Sequence, residues 1–164
     1  MIAAPSRSGR GRLGRVATTA AIMSVIVLAA CNSDPAGVEF EVIEEVTFDP
    51  SLNIDLSAMT KLPEGVYIQD LVAGTGPGLA AGDNAWVYYE LRLRDARPIA
   101  NGTFPFEYQV DDLIDGWDIG VAGMMAGGTR VMLVPPELGY GATGQGAVPP
   151  GAILHFRIEL DSIT

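Results

Sequence analysis

Histidine and cysteine are nearly absent from this chain: among 164 residues there is one of each, Cys31 and His155. A single cysteine closes no intramolecular disulfide, so the fold must stand without covalent staples. No nucleophile triad, metal-ligand cluster or phosphate-binding loop can be assembled from the sequence, which excludes most covalent and metal-assisted chemistry. Positive charge is also scarce. Four of the ten basic residues (Arg7, Arg10, Arg12 and Arg15) fall in the first thirty positions, where no acidic residue occurs. Beyond position 30 six basic residues face twenty acidic ones, a formal charge of −14 over 134 residues. Such a body repels nucleic acid and favours solubility. Long apolar runs are missing as well. The one at 16–30 is too short, and too close to the N-terminus, for a typical membrane span. No internal repeat is present.

The scarce cysteine has a telling position. Residues 1–30 have a basic n-region followed by an apolar, small-residue h-region that ends Leu28-Ala29-Ala30-Cys31. This resembles a bacterial lipobox, and the resemblance implies a signal peptide over 1–30 that is removed, with Cys31 lipidated. Each buried methylene of an acyl chain adds about 0.8 kcal/mol of membrane affinity. The expectation is an exported protein held to the cell envelope, on its periplasmic side or outer surface. Residues 31–62 read as a tether followed by an acidic strand or arm, with Phe40 and Val42 alternating with Glu39 and Glu41. Residues 49–63 read as a loop.

From position 63 the pattern is that of one α+β domain, 63–164. Val66, Ile68 and Leu71 predict a first strand. Residues 86–94 alternate, with Val87, Tyr89, Leu91 and Leu93 on one face. Phe106, Tyr108 and Val110 predict a third strand, 129–134 a fourth and 152–162 the last. There Leu154, Phe156, Ile158 and Leu160 alternate with Ile153, His155, Arg157 and Glu159, which puts His155 on an exposed outer face. One helix interrupts the strands. Ile114, Trp117, Val121 and Met124 form its apolar stripe, Asp115 and Asp118 point away, and Gly127-Gly128 stops it. The predicted architecture is an antiparallel sheet of about five to six strands curled around one short helix.

Aromatic residues are few, but three of them sit where a site would be: Trp117 in the helix, Tyr140 in a Gly-rich loop and Phe156 on the last strand. Together with the ordered motifs GVYIQDLVAGTG, PFEY, LIDGWDIGVAGM and PELGYGATGQGAVPPGAILHFRIEL, they make the region 63–164 resemble the FKBP-type peptidyl-prolyl cis-trans isomerases. The resemblance implies a proline pocket floored by Trp117 and walled by Tyr89, Phe106, Leu113, Ile114, Val148 and Phe156. It also implies that the Ile114 backbone N–H and the Tyr140 hydroxyl meet substrate carbonyls. By the same resemblance the catalytic set is Tyr89, Ile114, Trp117, Tyr140 and Phe156, with Ile99, Phe106, Leu113 and Val148 binding substrate. Read without the family, Tyr89, Phe156 and Trp117 pass as core residues, and only Tyr140 looks exposed and functional.

The implied partners are proline-containing segments of exported proteins, with macrolide inhibitors as further ligands, no cofactor, no metal and no nucleic acid. The protein is expected to be a monomer. Two positions depart from the family pattern: Ile99 stands where it has phenylalanine, and Ala100 where it has aspartate. A lost hydrogen bond to a charged group costs about 1.5–3 kcal/mol, so a weakened isomerase is expected. The alternative is a peptide-binding chaperone module that uses the same groove without useful turnover.

Overall fold

The computed structural model describes residues 37–164. The leader and Cys31, read above as signal peptide and lipidation site, lie outside the described residues. The elements in chain order are β1 (Thr60–Lys61), β2 (Tyr67–Val72), β3 (Asn84–Arg92), β4 (Pro98–Glu107), α1 (Asp115–Val121), β5 (Gly128–Val134) and β6 (Leu154–Ile163). Short 3-10 turns occur at Pro50–Leu52, Leu56–Ala58 and Pro136–Leu138. All six strands pair antiparallel in one sheet, ordered β1-β2-β5-β6-β3-β4. This is the predicted α+β class.

The helix lies on the front of the sheet because two of its glycines permit close approach. A Cβ on Gly116 would stand 2.2 Å from Val134 Cγ1, and one on Gly120 2.3 Å from the Met132 sulfur. Val121 and Trp117 pack into the principal core with Val87, Leu91, Met132, Leu154, Phe156 and Ile158. The helix ends at Val121, not at Gly127-Gly128; the chain leaves at Ala122 in extended conformation and turns at Gly123 with φ 69°. Its last carbonyls are met by Arg130 of β5, which donates to Gly120 O and Ala122 O, both at 2.9 Å. The same guanidinium pairs with Asp70 of β2 at 2.7 Å. A cation at the negative end of the helix is favourable, and this one ties the helix to the sheet.

On the back of the sheet, the acidic segment read as strand or arm is an arm. Residues 39–48 form no ladder strand; they run as an arm with a turn at 43–45, folded over the outer face. Ile43 enters a second core with Met59, Tyr67, Val131, Leu133 and Ile153. The Glu41 N–H donates to Gly151 O at 2.9 Å, and its carboxylate accepts from Ile153 N–H at 2.9 Å and pairs with Arg94. Glu44 accepts from Lys61 and from the Tyr67 hydroxyl. Those two bonds hold its carboxyl down at about 2. The presumed loop at 49–63 contains two 3-10 turns and β1.

Burial corrects the placement of His155. The residue does face away from Phe156, but it is 5 % exposed, and neither ring nitrogen has a partner. Burial, and after it the nearby Arg92 charge, depresses its pKa to about 4. Alternation assigned the face correctly; it does not report that this face is covered.

Two further readings are corrected. The third strand is 98–107, not 106–110: Tyr108 lies in the following turn and Val110 is exposed. Pro98 and Pro105 break the sequence signal there, yet both are tolerated because β4 is an edge strand. Asp118 does not point clear of the fold. One carboxylate oxygen is enclosed without a partner, and burial pushes its pKa up.

Candidate functional site

The front of β3, β4 and β6, the start of α1 and the loop after β5 enclose a cavity of about 680 Å³. Trp117 is at its base, only 4 % exposed. Four rings surround the indole: Phe104 and Phe156 at 5.6 Å between centroids, Phe106 at 5.7 Å and Tyr89 at 6.1 Å. The Tyr89, Phe106 and Phe156 contacts are edge-on, the arrangement that aromatic quadrupoles favour. The indole N–H is enclosed without an acceptor.

Each wall follows from local structure. Period-two alternation on β3 directs Tyr89 and Leu91 to the cavity, and on β6 it directs Phe156 there. On β4 it directs Ala100 and Phe104 the same way. The pairing shifts between Leu91 and Arg92, so that Leu91 faces Ala100 and Arg92 faces Pro98. Ile99 is the extra residue of that bulge, and both it and Ala100 reach the wall. Ile114 caps α1 with φ −68° and ψ 143°, and its carbonyl accepts from Trp117 N–H. Its own N–H has no acceptor among the described residues. Leu113 and Ile114 form the rim beside it.

Tyr140 and Val148 come from the Gly-rich loop after Pro136–Leu138. That loop is held by its own backbone: Gly144 N–H to Tyr140 O at 3.0 Å, a two-way bridge between Gln145 and Val148, and Gly151 N–H to Gly141 O at 2.9 Å. The Tyr140 hydroxyl has no partner among the described residues, and burial, then the neighbouring Tyr89, raises its pKa. It therefore stays a neutral donor.

Of the nine candidate pocket residues, eight line this cavity: Tyr89, Ile99, Leu113, Ile114, Trp117, Tyr140, Val148 and Phe156. Phe106 does not. It is 2 % exposed and packs behind Trp117, and Phe104 takes the wall position instead. The sequence reading passed over Leu91, Asp112 and Gln145, which also line it. Leu91 was findable as the i+2 neighbour of Tyr89, and Phe104 as the i−2 neighbour of Phe106. Asp112 and Gln145 carry no periodic signal. Among the described residues no group of histidine, cysteine and carboxylate side chains is placed to hold a metal.

What such a site can do is bind an apolar ring, exclude water, and offer unsatisfied N–H and O–H donors at its edge. The relatives agree with that geometry. Residues 76–161 match the sequence model of the FKBP-type peptidyl-prolyl cis-trans isomerases. The chain is 32 % identical over 136 residues to peptidyl-prolyl cis-trans isomerase FKBP15-3 of Arabidopsis thaliana, covering 78 % of this chain and 95 % of that protein. It is 39 % identical over 105 residues to the 46 kDa FK506-binding nuclear protein of Spodoptera frugiperda, covering 60 % of this chain but 26 % of that protein. Thus it spans about a quarter of the length of that relative. Among solved structures, FkpA from Escherichia coli superposes with a TM-score of 0.61 at 28 % identity, over 65 % of this chain and 52 % of that one. The chain belongs to the FKBP-type peptidyl-prolyl cis-trans isomerase family.

Proposed function

We propose that the chain catalyses cis-trans isomerisation of X-Pro bonds in exported proteins, with the Trp117 cavity as its site. The observation that carries this is the ring of Tyr89, Phe104, Phe106 and Phe156 around a buried Trp117, with a free Ile114 N–H and a neutral Tyr140 hydroxyl at the edge. Uncatalysed rotation takes tens to hundreds of seconds, because the planar amide is held by resonance. That resonance polarises the oxygen and nitrogen, and it is broken in the twisted transition state. A site that excludes water disfavours the polar ground state relative to the twisted state, while the edge donors hold the flanking carbonyls. Every 1.36 kcal/mol of such preference is about tenfold in rate. No side chain has to exchange a proton or form a bond.

Export and anchoring through Cys31 belong to the same proposal and rest on the lipobox-like end of the leader. Proline-containing segments are the substrates, and FK506-type macrolides are expected to compete for the cavity.

Ala100 favours a second reading, in which the groove binds peptides with little turnover. It lines the cavity where the family carries a carboxylate. The test is the proline-limited refolding of a reporter protein. The isomerase reading predicts acceleration by wild type, raised about tenfold in Ala100→Asp, a restored charge-assisted hydrogen bond being worth about 1.5–3 kcal/mol. Peptide binding with no acceleration at any enzyme concentration selects the second reading.

A further inference from the structure

The charge on the cavity wall is of one sign. Asp112 is the one charged side chain on the wall, beside neutral Tyr89, Tyr140 and Gln145. It is exposed and has no hydrogen bond or ion pair among the described residues. Asp111 next to it accepts from Glu107 N–H at 2.8 Å, and Asp115 lies exposed in the first turn of α1. The cations are committed elsewhere. Lys61, Arg92, Arg94, Arg130 and Arg157 each pair with a carboxylate away from the wall. Among the described residues that leaves Arg97, in the turn after β3 and not on the wall. The Asp112 carboxylate on the wall is therefore uncompensated.

We propose that the site selects proline segments with a basic residue adjacent to the proline, and that Asp112 is the residue that sets this preference. The inference rests on the cavity being the peptide site. Its apolar walls take a proline ring whatever its neighbours, so they discriminate little along the peptide. The neighbours must pass the mouth, where a lysine or arginine supplies the cation that the fold withholds and a glutamate meets like charge. An exposed ion pair is worth up to about fivefold. Attraction of lysine and repulsion of glutamate, with Asp111 and Asp115 adding to the field, give about tenfold between the two.

The experiment uses blocked peptides of one length with lysine, norleucine or glutamate immediately after the proline of a leucyl-proline unit. Their isomerisation is followed without protease, and their binding by fluorescence anisotropy, on wild type, Asp112→Asn and Asp112→Lys. At about 20 mM salt the expected lysine-to-glutamate ratio of kcat/KM is about ten, shrinking toward one at about 0.5 M. It falls about threefold in Asp112→Asn and inverts in Asp112→Lys. A wild-type ratio near one at low salt, with the norleucine peptide turned over, overturns the preference and leaves the isomerase reading standing. A ratio unmoved by Asp112→Asn removes Asp112 from the role. Lysine peptides bound about tenfold tighter than glutamate peptides, with none isomerised, support the selectivity and sink the isomerase reading. If no peptide binds or is turned over, both fall.

Discussion

The two faces of the sheet are built from alternate residues of the same strands, yet they end differently. On β6, Phe156 looks forward and His155 backward. The front face is covered by one seven-residue helix, too short to fill the space over β3 and β4, and the remainder is the aromatic cavity. The back face carries the chain's own arm, which drives Ile43 into a small core, and it buries His155 without partners. The difference separates two kinds of buried surface. The front keeps an opening edged by unsatisfied donors, as binding a peptide requires. The back is packed by the arm, and the unpaired histidine buried there costs stability and serves no visible chemistry.

The largest effect that would break this contrast is at the front. Trp117→Ala removes a ring packed on four others and should cost about 3–5 kcal/mol in denaturant unfolding, with isomerase activity lost in the remaining folded protein. Next is Ile43→Ala at the back, expected to cost about 2–4 kcal/mol. Its kcat/KM should stay within about twofold of wild type, since Ile43 packs in the back core and does not line the cavity; a tenfold fall would show that the faces are coupled. A smaller effect is carried by pH. His155 titrates near 4 when folded and near 6.5 when unfolded, so the unfolded chain binds the extra proton in that window. Stability is full above about 6.5 and declines as pH falls toward 4, by about 2 kcal/mol between pH 7 and 5. His155→Leu should flatten that part of the stability curve, read as the difference between the two proteins. An unchanged slope would mean that the histidine is solvated in the native state.

Strand existence and cavity-facing positions were legible because period two and one apolar helix stripe encode them locally. Tyr89, Trp117 and Phe156 were recovered on that ground and on the family motifs. What was missed depended on contacts distant in sequence. His155 was read as exposed because alternation gives the face of a strand residue but not what packs over it. The start of β4 was hidden by prolines that an edge position permits, so Phe106 was given a wall that Phe104 occupies. Asp118 was placed in solvent because helical periodicity does not show the turn at Tyr108 and Gln109 closing over it; the Tyr108 hydroxyl donates to Asp118 O at 3.1 Å. Asp112 stands in an irregular segment, where no pattern says which way a side chain points.

The most direct test is protease-free isomerisation of a leucyl-proline peptide, measured by exchange between its cis and trans signals with wild type and Trp117→Ala at equal folded concentration. An exchange rate that rises in proportion to wild-type protein, and is abolished by the substitution and by an FK506-type macrolide, is the predicted result. An exchange rate that wild type leaves at its uncatalysed value, or that Trp117→Ala raises equally, would contradict the assignment of catalysis to this cavity.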